Sequence, residues 1–365
     1  MAALGIKRPL LRVGHALAAL SLSVAGAGAA DVTWCTDTSA EAVLTYCGSV
    51  CVSGAPCVQF SASGACSNAS RNTCESSTAS SDCANYQCLD TAYNSAAKKW
   101  TLFVKTPAST DQFSGDSESA FPSAAVDAVE GVEFAEAVTA IQITGYDSTS
   151  VQKGAVKNVT FEDDVFSTAP VLETLAIENV NLATLPTGFL PSTVSTLILK
   201  NCRLSSLPTQ LGSLSNLVNL QLSKNYLTSI TDDDATVTAV LEQLTYVDLS
   251  SNALTTLDVV LSAVTSLNLA SNAFTTFPTA IFNMSQLTSL NMDGNSISNA
   301  VMTQSQFNFL KRLSSNSTLG IVSSSGSCGS GTTEDEVLGA VVCISTSTGT
   351  AASDDSSGAN DTVAR

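Results

Sequence analysis

Histidine is almost absent from this chain of 365 residues: it holds one, His15, inside the first thirty. Beyond that opening segment there is no imidazole for a Ser-His or Cys-His nucleophile pair, nor for a histidine metal site. Positive charge is scarce too. Fifteen Lys and Arg stand against 32 Asp and Glu, a formal net charge of −17. Nucleic acid and anionic membranes are polyanions, so this balance disfavours both as partners; solubility of an exported chain explains the acidity equally well. After residue 30 the apolar runs are short, 337–344 among them. A spanning helix needs roughly 20 residues, so no membrane span is expected, and the tail lacks the hydrophobic terminus of a GPI signal. Two carboxylate runs remain, Glu162-Asp163-Asp164 and Asp232-Asp233-Asp234. A glycosidase sets two such groups across a cleft, whereas a single run reads as a solvated face. Asp232–Asp234 lacks the spacing and closing Glu of a calcium loop. The glycine-rich stretch 326–331 has no following Lys to hold phosphate. The expectation is no enzyme, no cofactor and no metal.

What the chain does have is a repeat. Leu217, Leu220, Leu222, Asn225, Leu227 and Ile230 fill the pattern L-x-x-L-x-L-x-x-N-x-L-x-x-L. Copies starting at Leu172, Val194, Leu244, Val264 and Leu287 fill it again, with Val180 and Cys202 where the first two would carry Asn. This is the pattern of the leucine-rich repeat, whose period is about 20–29 residues. Side chains alternate along a strand, so the two leucines of x-L-x-L-x point to one side. Each copy then has an apolar interior that it buries only by stacking on its neighbours. The predicted fold is an α/β solenoid, a horseshoe with parallel strands on its concave face. Asn at the turn can satisfy backbone groups left unpaired there, and Cys202 is expected buried and inert at the same position. Val138, Ile141 and Ile143, and then Val156, Val159 and Phe161, keep the same step and read as degenerate first repeats.

The flanks read as those of an exported protein. Lys7, Arg8 and Arg12, an apolar stretch and the small-residue run 25–30 form a signal peptide, residues 1–30. Residues 31–95 form a small disulfide-rich cap holding Cys35, Cys47, Cys51, Cys57, Cys66, Cys74, Cys83 and Cys88. Eight cysteines leave 105 pairings open. A metal cluster fits poorly, because paired C-x-x-C spacings are absent. Residues 96–137 read as a linker leading in, with one strand-like run, 100–104. The solenoid spans 138–315 and ends on a capping helix, with Phe307, Leu310 and Leu313 at helical spacing. Residues 316–344 form a C-terminal cap closed by Cys328 and Cys343, and 345–365 a disordered Ser/Thr/Gly/Asp tail. Sequons at Asn68, Asn158, Asn283, Asn316 and Asn360 suit a secreted glycoprotein.

Outward strand positions define the candidate binding lane. Asn219, Gln221, Tyr246, Asp248, Ser266, Asn268, Asn291 and Asp293 are its chosen contacts. Binding hot spots favour Trp, Tyr and Arg, so Tyr246 is the leading anchor, although any repeat surface needs polar residues there to stay soluble. Three marks then carry a resemblance: the cysteine-rich opening running from Tyr86-Gln-Cys88 into Trp100–Val104; the L-x-x-L-P repeats at Leu185-Pro186, Leu207-Pro208 and Phe277-Pro278; and Cys328 with Cys343 ahead of a Ser/Thr tail. In these the chain resembles the extracellular region of oomycete leucine-rich-repeat proteins, many of them receptor-like kinases of the tyrosine-kinase-like group. The resemblance implies ligand sensing outside the cell. It carries over no kinase function, because no residues here match one. The expected function is an extracellular module that binds a protein, peptide or glycan on its concave face. The alternatives are a truncated receptor ectodomain and a structural wall-associated glycoprotein.

Overall fold

A computed structural model describes residues 33–34, 42–45, 53–62, 73–76, 83–88, 96, 98–104, 126, 128–145, 152–298, 300–322 and 328–346. The signal peptide, Cys35, Cys47, Cys51, Cys66, Asn68, Asn360 and the tail from 347 lie outside the described residues. So do the side chains of Cys74, Cys83 and Cys88. The chain begins with β1 (Thr33–Trp34), β2 (Ala42–Leu44), β3 (Cys57–Ala62), β4 (Thr73–Ser76) and β5 (Cys83–Cys88). Next come β6 (Lys99–Phe103), β7 (Ala128–Val129), β8 (Ala140–Thr144), β9 (Thr160–Phe161), β10 (Thr174–Glu178) and β11 (Thr196–Lys200). Then follow β12 (Asn219–Gln221), β13 (Ser229–Ile230), α1 (Ala235–Gln243), β14 (Tyr246–Asp248), β15 (Thr256–Leu257), β16 (Ser266–Asn268) and β17 (Ser289–Asn291). The last elements are β18 (Val301–Met302), α2 (Gln304–Leu310), β19 (Thr332–Val337) and β20 (Ala340–Ser345).

Eight strands form one sheet in the order β17-β16-β14-β12-β11-β10-β8-β6, every neighbour parallel. The inward leucines pair row on row: Leu175 with Leu197, Leu197 with Leu220, Leu220 with Val247, Val247 with Leu267, and Leu267 with Leu290. Each of these is at most 1% exposed. The sheet starts earlier than the periodic leucines do. In β6 the alternation is carried by Trp100 and Leu102, both buried, and Trp100 lies in register with Ile141. Val156, Val159 and Phe161 form no separate coil, in contrast to the expectation. Equivalent positions, Val138 and Val156, are only 18 apart, too few for a coil of 20 or more. They form the return half of the Ile141 coil, and β9 belongs to the other large sheet.

That second sheet runs β1-β4-β5-β3-β2-β7-β9. Its first five strands pair antiparallel, then β2 lies parallel to β7, and β7 to β9. The cysteine-rich module is thus continuous with the return segments of the first coils. Val43 and Val129, fully buried, lie in register at the seam. Thr45 Oγ1 accepts from Glu133 N at 2.7 Å. Cys57 is disulfide-bonded and stands opposite Cys88 in the register of β3 and β5.

Two hydrogen-bond ladders tie coil to coil. Asn225 Nδ2 donates to Leu199 O in the preceding coil (2.7 Å) and to Leu222 O in its own (2.9 Å), while its Oδ1 accepts from Cys202 N (2.9 Å). Asn252, Asn272 and Asn295 repeat this with Leu222 O, Leu249 O and Leu269 O, each at 3.0 Å. Cys202 fills the same position, its Sγ donating to Ile177 O at 3.3 Å. It is free and buried, and that burial pushes its thiol far above the ordinary value. One residue before each ladder position the backbone is left-handed: Asn179, Asn201, Lys224, Ser251, Ser271 and Gly294. That conformation costs a residue with Cβ roughly 1–2 kcal/mol, so it persists only because the turn is over-determined. The second ladder is made of hydroxyls. Thr245, Thr265 and Thr288 Oγ1 donate to the carbonyls of Val218, Thr245 and Thr265 at 3.0–3.1 Å.

Elsewhere the polar runs settle into turns. Asp234 is the N-cap of α1, accepting from Thr236 N at 2.9 Å and Val237 N at 3.3 Å. Glu162 Oε1 accepts from Gly131 N (2.7 Å) and Asp163 Oδ1 from Thr187 N (2.9 Å). The capping helix at the C-terminal end is α2, opened by a Thr303/Gln306 capping box. Beyond it, β18, β20 and β19 form a small sheet, and Cys328 is bonded to Cys343 across a Cα–Cα distance of 5.5 Å. Among the described residues no helix is long and apolar enough to cross a membrane.

Candidate ligand-binding surface

Parallel register turns the outward positions into rows. Asn219, Tyr246, Ser266 and Ser289 form one; Gln221, Asp248, Asn268 and Asn291 form the next. Neighbours in a row stand about 4.8 Å apart, so seven of the eight sequence-predicted contacts share one contiguous patch. Asp293, the eighth, lies two residues beyond the end of β17 and is exposed.

One local device orients the second row. Asp248 Oδ1 accepts from Ser250 N (2.9 Å), Asn268 Oδ1 from Ala270 N (3.1 Å) and Asn291 Oδ1 from Asp293 N (3.0 Å). These are Asx turns, in which a short polar side chain ends the strand by bonding two residues on. The Asn residues spend their oxygens on the turn, so they offer N–H donors outward. Thr318 Oγ1 donates to Asn291 Oδ1 at 2.6 Å, extending the row into the C-terminal cap. In the first row, Asn219 Oδ1 accepts from Gln221 Nε2 at 3.2 Å. Tyr246 is 37% exposed. Partial burial and the negative charge of Asp248 raise its phenol above the usual value, so it stays a neutral donor.

The patch offers hydroxyls, amides, carboxylates and one phenol. It holds no nucleophile with an adjacent base, and the described residues include no group of three or more His, Cys, Asp or Glu poised for a metal. Its chemistry is hydrogen bonding. A cavity of about 720 Å³ lies elsewhere, on the return side of the coils, lined by Asn158, Phe161, Asn181, Leu185 and Pro186. There Asn158 Oδ1 accepts from Asn181 Nδ2 at 2.9 Å. Asn158, Asn283 and Asn316 are all exposed, and none belongs to the strand rows.

The leucine pattern did not reveal the edge where the strands end. Asn201 is fully buried there and grips residues 152–155: its Nδ2 donates to Gln152 O (3.2 Å) and Ala155 O (3.0 Å), and its Oδ1 accepts from Gly154 N (2.7 Å). Arg203 Nη2 donates to Gly154 O at 3.1 Å, and Lys153 Nζ sits 4.8 Å from the centre of the Tyr226 ring. Gly154 has φ +85°, and a Cβ there would collide with the Tyr226 hydroxyl. The one sequence signal was that Lys200, Arg203 and Lys224 fall within two coils of a chain poor in cations.

The family described as Leucine rich repeat matches residues 242–297, from just before β14 to just past β17. Comparison with curated proteins yields no match. Internalin C2 from Listeria monocytogenes aligns at 18% identity over 52% of this chain and 74% of that one, with a TM-score of 0.38. A leucine-rich-repeat protein of Leptospira interrogans aligns at 19% over 51% and 50%, TM-score 0.35. The BIR2 ectodomain from Arabidopsis thaliana aligns at 23% over 32% and 60%, TM-score 0.25. The fold therefore rests on the chain's own evidence: eight parallel strands in register, a recurring asparagine ladder and the family match over 242–297. The chain is a leucine-rich-repeat solenoid.

Proposed function

We propose that the chain is an extracellular recognition module that binds a protein, peptide or glycan across the strand rows of its solenoid. One observation carries the reading: Tyr246 stands exposed among polar outward positions, beside a row in which Asp248, Asn268 and Asn291 are held by a repeated turn. Rigid, preorganised polar groups around an aromatic anchor lower the ordering cost of binding. Repeat solenoids use their broad sheet face in this way. The basic, apolar and small-residue opening segment, the cysteine-rich module and the sequons support export and glycosylation.

The test is to express the full chain in a secreting host and recover it from the medium. Immobilised, it is then offered peptide, protein and glycan collections. Saturable binding that Tyr246→Ala weakens about tenfold or more supports the reading; binding indifferent to Tyr246→Ala, or none, removes it. The flanking cysteine pattern keeps a second reading in play, the sensing ectodomain of a receptor-like kinase. Sequencing the transcript past the Arg365 codon decides it, since a membrane helix and kinase motifs downstream would make the chain a sensor.

A further inference from the structure

The return side of the first coils places a sequon on the wall of a cavity. Lys157 N donates to Asn179 O (2.9 Å), Asn181 N to Lys157 O (2.8 Å), and Asp164 N to Thr187 O (2.8 Å). These bonds join two neighbouring coils at both ends of a gap. Between them, residues 158–161, 163 and 181–186 line the cavity of about 720 Å³. Asn158 and Thr160, the first and last residues of the sequon Asn158-Val-Thr160, both belong to that lining. Asn158 is exposed, and a relay holds its amide. Ala183 N donates to Asn181 Oδ1 (3.2 Å), and Asn181 Nδ2 donates to Asn158 Oδ1 (2.9 Å). The relay engages the oxygen of the Asn158 amide and leaves Nδ2, the atom that takes a sugar, outside it.

We propose that Asn158 carries an N-linked glycan whose first sugars sit in this cavity and tie the two coils together. This rests on the export proposed above, not on the strand rows. The bond forms between Asn158 Nδ2 and the anomeric carbon of an oligosaccharide carried on a lipid diphosphate. The carbon–oxygen bond to the diphosphate breaks, the lipid diphosphate leaves, and one Nδ2 proton passes to a base of the transferase. The volume suits such an occupant, since sites for small organic ligands span roughly 300–1,000 Å³. So does the lining. Phe161 and Pro186, both half-buried, offer apolar faces to the C–H side of a sugar ring, and Thr184 offers a hydroxyl. Asp163 Oδ1 accepts from Thr187 N at 2.9 Å, which fixes the carboxylate. Its second oxygen is then an acceptor for a sugar hydroxyl or acetamido N–H. A tethered sugar is held at high effective concentration, so weak contacts suffice to seat it. Asn158 belongs to one coil and 181–186 to the next. A seated glycan therefore bridges them beside Val180, where the ladder amide that joins later coils is replaced by an apolar side chain.

The experiment secretes the full chain from a eukaryotic host and maps its glycopeptides by mass spectrometry. Native and heat-denatured protein are then treated in parallel with an amidase that releases N-glycans and leaves Asp behind. The expected result is an occupied Asn158 whose glycan leaves the native chain at least about tenfold more slowly than the denatured one. Thr184→Arg, at an exposed position of the lining, keeps the sequon and fills the seat. Native release at Asn158 should then rise to the denatured rate. Ala183→Arg, also exposed on the lining, is the second variant and should act in the same way. Native release as fast as denatured release overturns the inference, and so does slow release that both variants leave unchanged. A bare Asn158 with Asn283 or Asn316 occupied also overturns it and leaves export standing. A chain retained in the cell without glycan removes the export reading as well.

Discussion

The first coils and the later ones share one sheet but are held together differently. From Asn225 to Asn295 an amide recurs in each coil and joins it to the one before. Toward the N-terminus Val180 and Cys202 stand in its place; one residue earlier Asn201 Nδ2 donates to Asn179 Oδ1 at 2.9 Å, and aromatic rings stack through the interior. Trp100 meets Phe134 edge-on at 5.1 Å, Phe134 meets Phe166 at 6.0 Å, and Phe166 meets Phe189 at 5.1 Å. The second sheet adds backbone bonds on the return side of the same coils. A solenoid needs each coil to hold its neighbour, and directional amides or buried rings both do so. Rings suit the end where the cap must be joined, since they fill irregular space. Amides suit uniform coils, since they need a repeated turn.

The largest effect should come from breaking the aromatic stack. Phe166→Ala is expected to cost about 3–5 kcal/mol, and hydrogen exchange should show the loss concentrated in β6, β8 and β10; uniform loss across β6 to β17 would mean the two regions are not distinct. Asn252→Ala strands the N–H of Leu227 and takes one of two amide donors from the carbonyls of Leu222 and Leu249, which keep Asn225 and Asn272. About 2–3 kcal/mol is expected there from urea unfolding, with exchange rising first in β12, β14 and β16. Thr265→Val removes one hydroxyl rung and should cost about 1 kcal/mol; a larger loss would promote the hydroxyl ladder to equal rank. Asp234→Ala tests the cap of α1 in the longest inter-coil connection. Hydrogen bonds from Thr236 and Val237 lower the folded-state value of this carboxyl, so its contribution is complete above about pH 5 and fades as acid protonates it. Thermal melts should therefore separate wild type from Asp234→Ala near neutrality and converge in acid. The smallest effect is chemical: Cys202 should resist thiol reagents in the folded chain and react once denatured, because burial holds it as thiol.

The repeat was legible because a strand that buries one face must place Leu or its equivalents two apart, and a coil must return after about 20 residues. That spacing predicted the inward rows, the Asn ladder, Cys202 as its substitute and the capping helix around Phe307 and Leu310. It left the strand-like run 100–104 in a linker, whereas β6 joins the solenoid sheet with Trp100 in a leucine's place, and it led Val156 to Phe161 to be read as another coil. It also said nothing of the hydroxyl ladder, since Thr and Ser before a strand are common for other reasons. For the surface, alternation named the outward residues, and the register set Asn219 beside Tyr246 and Gln221 beside Asp248. The grip of Asn201 on residues 152–155 was out of reach, because those groups lie 46–49 positions apart and no local rule links them.

Periodicity alone therefore determined the architecture, since burying a repeated apolar face admits few arrangements. Only the tertiary structure decided how the coils are bonded at each end, that the cysteine-rich module shares a sheet with the first return segments, and that Asn201 grips residues 152–155 at the ends of the strands. Those depend on contacts between residues far apart in the chain, which no pattern of neighbours encodes.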